Sequence, residues 1–188
     1  MPGEPEVVLA TERLLLRELQ LDDLDDLAAI LGDPVAMRFY PHPFARSEAR
    51  AWITRNQRRY AEDGHGLWAV VLKEDGTFVG DCGLTIQTVE DVPELEVGYH
   101  IKPSHWRRGL ATEAARACRD YAFTTLDRDR LVCISSPGNA ASQGVSKKLG
   151  MTFEKDVIYK ELPQVIFSMQ RPEQGPHRRD APPASIAP

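Results

Sequence analysis

Apolar positions recur along this chain at two spacings, which divide it into predicted helices and strands. Residues 21–31 carry apolar side chains at helical spacing, and the aspartates of their first turn complement the positive end of a helix dipole. Ser47 predicts the cap of a second helix, and a strongly periodic segment begins at Gly109. The predicted helices span 21–31, 47–61, 109–123 and 140–149.

Shorter apolar runs between these helices predict strands. Two aliphatic runs at 7–9 and 14–16 are interpreted as one interrupted strand, and the turn Glu74-Asp75-Gly76 joins two further runs as a hairpin. The other predicted strands span 67–72, 77–86, 94–101, 130–134, 151–159 and 164–169. A β-rich middle followed by strand–helix–strand predicts an α/β (α+β) fold, in which helices cover a central mixed sheet.

The length of 188 residues fits one domain of ordinary size, and no linker or internal repeat divides it. Residues 7–170 are therefore predicted to form a single domain after a flexible N-terminus at 1–6. Residues 171–188 contain five prolines and almost no large apolar side chain. This tail is predicted to be disordered, because it buries too little apolar surface to offset its ordering entropy.

Composition excludes several classes of function. The net charge of -5 argues against a nucleic-acid partner, because neutralising phosphates requires a basic face. Cys82, Cys118 and Cys133 are odd in number and form no C-x-x-C pair, so buried thiols are expected rather than disulfides or a metal site. With no signal peptide or membrane-length apolar run, a cytoplasmic protein without a membrane partner is predicted.

The segment after the strand at 94–101 has the features of an anion-binding site. Arg107 and Arg108 precede Gly109 and a helix, whose first amides have no internal partners and lie at the positive end of the dipole. Gly109 permits close approach of the backbone to a phosphate. The alternative is an ordinary strand–loop–helix connection with solvated arginines. No P-loop motif and no G-x-S-x-G nucleophile motif is present.

The sequence Trp106-Arg107-Arg108-Gly109-Leu110-Ala111-Thr112-Glu113-Ala114 resembles the acetyl-CoA-binding motif of GNAT N-acetyltransferases, usually [QR]-x-x-G-x-[GA]. The similarity is to the RimJ/RimL-like branch, the ribosomal-protein-alanine acetyltransferases, and covers about residues 10–170. Trp106 stands at the usual Gln/Arg position, and Arg107 occupies a position often held by Gly. Other pieces of the resemblance lie, in order, at 11–17, 33–38, 78–84, 96–99, 139–142 and 148–151.

The resemblance implies a GNAT fold, with a mostly antiparallel, split central sheet, and acetyl-CoA as co-substrate. The splayed strand would pair with pantetheine and would carry a bulge at Gly98. Asn139 would contact the cofactor, although it also suits a helix cap. The implied cofactor-binding residues are Tyr99, His100 and Ile101 through their backbone, the amides of Arg107, Arg108, Gly109, Leu110, Ala111 and Thr112, and Asn139.

Direct acetyl transfer to an amine requires a group that removes a proton from the ammonium. Glu96 is the first candidate for this base and Glu94 the second, since residues two apart on a strand share one face. Either carboxylate can instead face solvent or pair with an arginine. Ser142 matches a position near the thiol and would help protonate the thiolate, unless it only caps a helix. His100 and His105 lack metal-ligand company, so no metal is expected.

The predicted function is acetyl-CoA-dependent N-acetylation of a primary amine, on a protein N-terminus or a small molecule. The alternative is a catalytically weak regulatory module that binds acyl-CoA, and a hydrolase is a weaker third. The acidic balance favours a cationic acceptor slightly, because negative clefts attract cations. The segments 37–44 and 87–93 are expected to shape acceptor choice. A homodimer is compatible with the sequence, although no periodic surface marks an interface.

Overall fold

A computed structural model describes residues 7–172, in which eight strands form one sheet. The strand order is β1-β2-β3-β4-β5-β6-β8-β7, and all neighbours are antiparallel except β5 and β6. The strands are β1 (Val7–Ala10), β2 (Leu14–Arg17), β3 (Leu67–Leu72), β4 (Phe78–Val89), β5 (Val92–Ile101), β6 (Arg130–Ser135), β7 (Thr152–Tyr159) and β8 (Leu162–Gln170). The predicted mixed sheet and the predicted β3–β4 hairpin are confirmed.

The N-terminal aliphatic runs form a hairpin, so the prediction of one interrupted strand was wrong. β1 and β2 pair antiparallel, with Ala10 opposite Leu15. The turn between them is closed by Thr11, whose amide donates to the Leu14 carbonyl at 2.9 Å and whose hydroxyl accepts from the Leu14 amide at 3.0 Å. The polar residues between the two runs are therefore a turn and not an interruption within one strand.

The helices are α1 (Leu24–Leu31), α2 (Arg46–Asp63), α3 (Leu110–Thr124) and α4 (Ala140–Lys148). A 3₁₀ turn precedes α1, and the predicted cap of α2 at Ser47 was wrong. α2 begins one residue earlier, because the Glu48 carboxylate accepts from the Ala45 amide at 2.7 Å and satisfies that donor from inside the first turn. Gly64 ends α2 in the left-handed conformation with φ 74°.

Two hydrophobic layers lie on opposite faces of the sheet. One packs α1 and α2 against side chains such as Ala69, Val71 and Phe78. The other packs α3 against the opposite face, where Trp68 and Val70 are buried. The three cysteines are buried free thiols, as predicted. None of the helices within residues 7–172 combines the length and the apolar content that crossing a membrane requires.

The sheet is split between β5 and β6, and this split is confirmed as the central feature of the fold. The two parallel strands pair at one position, Glu96 opposite Val132, and separate beyond it. Parallel strands end at the same edge, so α3 and α4 both begin at the open end of this gap. The predicted bulge at Gly98 was wrong, because Gly98 pairs with Gly83 in an unbroken β4–β5 ladder. The opening therefore lies between β5 and β6, and the pairing of β5 with β4 is not interrupted.

Two predicted boundaries fall at the limits of the described chain. The flexible N-terminus at 1–6 lies outside the described residues, as does the predicted tail from 173 onward. Arg171 is held to the domain, since its amide donates to the Asp129 carbonyl at 2.7 Å.

Candidate active site

A cleft of about 950 Å³ passes through the gap between β5 and β6. Its walls on one face of the sheet come from the first turns of α3 and α4, and we call this part the donor half. Its walls on the other face come from α2, β4 and the segment before α2, and we call this part the acceptor half. The donor half includes Arg107, Gly109, Leu110, Ala111, Thr112, Asn139 and Ser142, and the acceptor half includes Tyr40, Phe44, Trp52, Arg55, Arg59, Glu96 and His100.

The loop before α3 adopts a conformation that exposes backbone amides to the donor half. Gly109 is the N-cap residue with φ 80°, and it has no side chain to occupy the first free amides of the helix. Arg107 is also left-handed, with φ 61°. This conformation explains why a glycine would suit position 107, since a left-handed non-glycine residue costs about 1–2 kcal/mol. Arg107 holds this left-handed conformation despite its Cβ.

A network at the back of the loop fixes the start of α3. Glu113 accepts from the Thr11 hydroxyl at 2.6 Å and from the Arg13 amide at 2.9 Å, and its carboxylate pairs with the Arg13 guanidinium at 2.6 Å. Burial raises the pKa of Glu113, but these hydrogen bonds outweigh it and hold the pKa below its usual value. Arg13 also donates to the Arg108 carbonyl at 3.0 Å. The β1–β2 turn therefore positions the amides of the loop.

The first turn of α4 brings two hydroxyl groups together beside β5. Asn139 caps the helix, because its side-chain oxygen accepts from the Ser142 amide at 3.1 Å. The Ser142 hydroxyl lies 3.0 Å from the Tyr99 hydroxyl, which also donates to the Ser142 carbonyl at 3.0 Å. Burial raises the pKa of Tyr99 well above its usual value, so the phenol keeps its proton. Sequence reasoning expected only the Tyr99 backbone here and missed its side chain.

All three predicted pantetheine-pairing residues line the cleft, but backbone direction alternates along β5. The His100 carbonyl lies against Gly80 of β4, so the backbone groups that face the gap are those of Tyr99 and Ile101. Tyr99 and His100 lie on β5 beyond its single contact with β6. The Ile101 carbonyl already accepts a hydrogen bond from the Trp106 indole N–H at 2.5 Å. This contact ties the loop to the end of β5, and it gives Trp106 a positioning role.

The two candidate carboxylates of β5 have different surroundings. Glu94 lies outside the cleft and accepts two hydrogen bonds from Arg130, with Nε 3.0 Å and Nη2 3.1 Å away. Glu96 lines the cleft, where Thr85 donates to it at 3.4 Å. Burial raises the pKa of Glu96, and hydrogen bonding from Gln87 only partly offsets the effect. Of the two, Glu96 alone is placed to meet a ligand in the acceptor half.

A hydrogen-bonded network that extends from the buried Asp81 to the exposed Tyr40 forms the opposite wall of the acceptor half. Asp81 is fully buried and accepts from the Trp52 indole N–H at 2.8 Å and from His100 Nδ1 at 2.7 Å. His100 Nε2 lies 2.6 Å from the Tyr40 hydroxyl, which donates to it when the imidazole is neutral. Burial lowers the pKa of His100, but the charge and the hydrogen bond of the Asp81 carboxylate together raise it by more, so the pKa lies above its ordinary value.

Sequence reasoning did not find this network, although one signal was present. Asp81 and His100 are direct cross-strand partners in the β4–β5 ladder. The register of that hairpin would have placed them together, and the sequence analysis did not pair these two strands. His105, by contrast, lies in the loop before α3, with its Nδ1 3.0 Å from the Ser104 hydroxyl.

Comparison with known proteins identifies the family of this chain. Residues 13–152 match the acetyltransferase (GNAT) domain family. The chain belongs to the GNAT family. It is therefore an acyltransferase, and its likeness to the RimJ/RimL branch is consistent with the relatives found. The protein YkkB of Bacillus subtilis is 36% identical over 160 residues, which cover 85% of this chain and 93% of YkkB.

Other relatives extend the likeness to named acetyltransferases and to solved structures. The N-acetyltransferase p20 of Bacillus licheniformis is 30% identical, over 81% of this chain and 85% of p20. The crystal structure of an acetyltransferase from Agrobacterium tumefaciens superposes with a TM-score of 0.77 at 26% identity, covering 90% and 96% of the two chains. RimL, a ribosomal L7/L12 alpha-N-protein acetyltransferase in complex with coenzyme A, shares the fold at 15% identity and a TM-score of 0.73, with 88% and 98% covered.

Metal-ligating side chains do not gather in this site. Within residues 7–172 no three His, Cys, Asp or Glu side chains are arranged to hold a metal ion. The cleft offers backbone amides, hydroxyls, one carboxylate, an imidazole and several cationic side chains, which together can bind an anion and move protons.

Proposed function

We propose that this GNAT protein transfers an acetyl group from acetyl-CoA to a primary amine across the gap between β5 and β6. The observation that carries the proposal is the division of one cleft by that gap. Uncapped helix amides lie on one side of it, and proton-accepting side chains lie on the other. Donor and acceptor would meet in the opening of the sheet.

The donor half fits the diphosphate of acetyl-CoA. The left-handed Arg107 and Gly109 leave the amides from Arg107 to Thr112 available at a helix N-terminus, where an anion is favoured. Arg108 adds positive charge nearby. Tyr99 and Ile101, whose backbones face the gap, would offer backbone groups to the amides of pantetheine, as a neighbouring strand would. The coenzyme A bound to RimL, a protein of the same fold, supports this assignment.

Glu96 is our proposed base. An alkylammonium must lose one proton before its nitrogen attacks the thioester carbonyl, and the nitrogen loses a second proton after the C–N bond forms. A carboxylate whose pKa is raised by burial is a stronger base than an exposed one. Glu96 would take the first proton, directly or through water, and return it to solvent.

Tyr99 and Ser142 would supply the proton that the departing thiolate needs. The C–S bond breaks as the tetrahedral carbon collapses, and the sulfur takes up one proton. The Tyr99 phenol is kept protonated by burial and lies within hydrogen-bond distance of the Ser142 hydroxyl. Two protons leave the amine and one reaches the thiol, so one proton is released in each turnover.

Tyr40 and His100 offer a second route for a proton from the amine. The Tyr40 oxygen can accept a proton while its own proton passes to His100 Nε2, and the imidazolium that forms lies 2.7 Å from the Asp81 carboxylate. Tyr40 and His100 therefore form a second proton acceptor on the wall opposite Glu96, which could take the second proton of the amine.

The comparisons do not favour the alternative of a catalytically weak regulatory module, because relatives such as p20 are named N-acetyltransferases. A protein N-terminus or a small-molecule amine as acceptor, a homodimer and a cytoplasmic location all stay predictions. RimL acts on a protein, and this supports a peptide acceptor without deciding it.

Two measurements test the proposal. Isothermal titration should show that acetyl-CoA binds, and the absence of binding at about 1 mM would refute the donor assignment. Release of the CoA thiol, followed across a panel of amines and peptides, should show turnover. Glu96→Gln should lower kcat by roughly 10²–10⁴, the range of general-base catalysis. Glu94→Gln is the matched control, two residues along the same strand, and should keep a nearly wild-type rate. The reverse result would move the role of base to Glu94.

A further inference from the structure

The acceptor half contains two arginines that form no ion pair with any described carboxylate. Arg55 and Arg59 lie one turn apart on α2 and both line the cleft. Among the ion pairs formed within residues 7–172, none involves either side chain. Most of the other arginines of the domain that line no cleft do form such pairs.

Both guanidiniums are held in place by neutral neighbours. The Arg55 guanidinium carbon lies 4.9 Å from the centre of the Trp52 ring. Arg59 Nη1 donates to the Asn56 side-chain oxygen at 3.3 Å, and that oxygen also accepts from the Leu67 amide at 2.9 Å. These contacts orient the arginines without neutralising them, so their charge remains directed into the cleft.

The electrostatic setting of Arg59 is unfavourable for a cation without a ligand. Its side chain is half-buried, and burial together with the nearby charge of Arg55 lowers its pKa. Asp63 and, to a smaller extent, Glu96 counteract this effect without forming an ion pair with Arg59, and Glu96 has its own hydrogen bond from Thr85. A partly desolvated cation is stabilised by an anion that reaches it, and a carboxylate suits the fork of a guanidinium.

Arg58 shows the ordinary behaviour of an arginine on the same helix. It is exposed, does not line the cleft, and pairs with Glu62 at 3.5 Å. Arg50 on α2 is also exposed and forms no ion pair among the described residues, so what distinguishes Arg55 and Arg59 is their position against the cleft.

The rest of the acceptor half has the same sign of charge. Arg38 lies over the Trp106 ring at 5.6 Å, and Lys160 also lines the cleft. Glu96 is the single carboxylate among the described lining residues. The overall net charge of -5 suggested a cationic acceptor, but apart from Glu96 and the buried Asp81 behind the wall, the acidic side chains of residues 7–172 lie outside the acceptor half.

We propose that the acceptor is a primary amine that also carries a carboxylate, which Arg55 and Arg59 bind, and not a polyamine or an aminoglycoside. This inference rests on the proposed N-acetyltransferase function. Because Arg59 and Glu96 line the same half of the cleft, the carboxylate of the acceptor would lie close to the reacting nitrogen. A free amino acid, or a peptide with an acidic residue next to its N-terminus, has this chemistry.

The test compares acceptors that differ only in this charge. Steady-state kcat/KM is measured for amino acids against their amides, and for peptides with Asp or Asn at the second position, at saturating acetyl-CoA. The wild-type protein should prefer the charged member of the productive pair by roughly 10- to 100-fold, the range of a charge-assisted hydrogen bond. The pair that shows this preference distinguishes an amino acid from a peptide.

Variants assign the preference to the arginines. Arg59→Gln and Arg55→Gln should each lose activity toward the carboxylate acceptor and leave the amide acceptor within a few-fold of wild type. Arg58→Gln should keep the full preference. An equal loss for both acceptors in Arg59→Gln, or higher kcat/KM with spermidine-like cations in the wild type, would overturn the inference.

Failure of the inference is distinguishable from failure of the proposed function. If amines with and without a carboxylate are acetylated equally well, the inference is refuted and the proposed function stands. Absence of acetyl-CoA binding would refute the donor assignment, and the inference with it.

Discussion

Gly109 offers the sharpest test of the donor half. Its φ of 80° lies in the left-handed region, and a Cβ added there would meet Arg13 Nη2 at 3.6 Å, which is ordinary van der Waals contact. Gly109→Ala therefore introduces backbone strain without a steric clash. A left-handed alanine costs about 1–2 kcal/mol. We expect the free energy of unfolding to fall by about this amount, and Tm to fall by roughly 2–8 °C for a domain of this size.

The backbone strain of the Gly109→Ala variant can lower the free energy of unfolding of the free protein, weaken acetyl-CoA binding, or do both. If the loop keeps its conformation, the whole cost appears in the stability of the free protein. If the loop relaxes, its amides turn away from the diphosphate, and binding must restore them. A relaxation worth about 1.4 kcal/mol would weaken acetyl-CoA binding tenfold. With acetyl-CoA saturating, the total loss of stability should be the same in either case.

Two other glycines are matched controls. Gly76 in the β3–β4 turn has φ 74° with no heavy atom within 4 Å, and Gly144 lies inside α4 with equally open space. Gly76→Ala should lower Tm like Gly109→Ala but leave the Kd for acetyl-CoA unchanged. Gly144→Ala should raise stability by about 0.5–1 kcal/mol, because alanine favours the helix. Thermal melts measure the Tm of each variant, and titration calorimetry measures its Kd for acetyl-CoA. Gly109→Ala with unaltered Tm and Kd, beside a destabilised Gly76→Ala, would refute the reasoning.

Three further predictions concern the same half of the cleft. Arg107→Gly should raise the free energy of unfolding by about 1 kcal/mol, because glycine relieves the left-handed strain. The Kd for acetyl-CoA should stay within a few-fold of wild type, since the backbone amide remains. A large loss of affinity in calorimetry would assign the binding to the arginine side chain. Arg13→Ala should lower stability by about 1 kcal/mol, the size of a largely exposed pair, and weaken acetyl-CoA binding because the Arg108 carbonyl is released; melts with and without acetyl-CoA would show both. Tyr99→Phe should lower kcat by roughly 10² with little change in KM for acetyl-CoA, and equal kcat values would exclude the phenol as the acid.

The donor half could be predicted from the sequence because it is local. The end of β5, the loop and the start of α3 are contiguous, so Gly109 and the free amides follow from rules that act within a few residues. The same locality explains the Asn139 cap. Arg107 adopts a left-handed φ of 61°, which accounts for the glycine that the family often has at this position.

The acceptor half could not be predicted because it is assembled from distant segments. Asp81 and His100 meet only through the register of the β4–β5 hairpin. The helical spacing of Trp52, Arg55 and Arg59 aligns them on α2, but the direction in which that face points depends on packing against the sheet. The error at Ser47 only moved a helix boundary, whereas missing the β1–β2 turn also missed the contacts by which Arg13 holds the donor loop.

The buried pair of Asp81 and His100 makes the stability of the acceptor half depend on pH. The folded-state pKa of His100 is raised above its ordinary value, so the stabilisation is fully present below about pH 6.5 and is lost as pH rises through the folded-state pKa. The pKa of Glu96, raised by burial, gives a loss in the same direction at lower pH. His100→Asn can still donate to Asp81 but cannot titrate. The free energy of unfolding, measured in denaturant from pH 5.5 to 9, should fall more steeply for wild type than for His100→Asn, and the difference removes the contribution of Glu96. Parallel curves would show that the imidazole is not charged in the folded protein, and the proton route through Tyr40 would then lose its stabilised imidazolium.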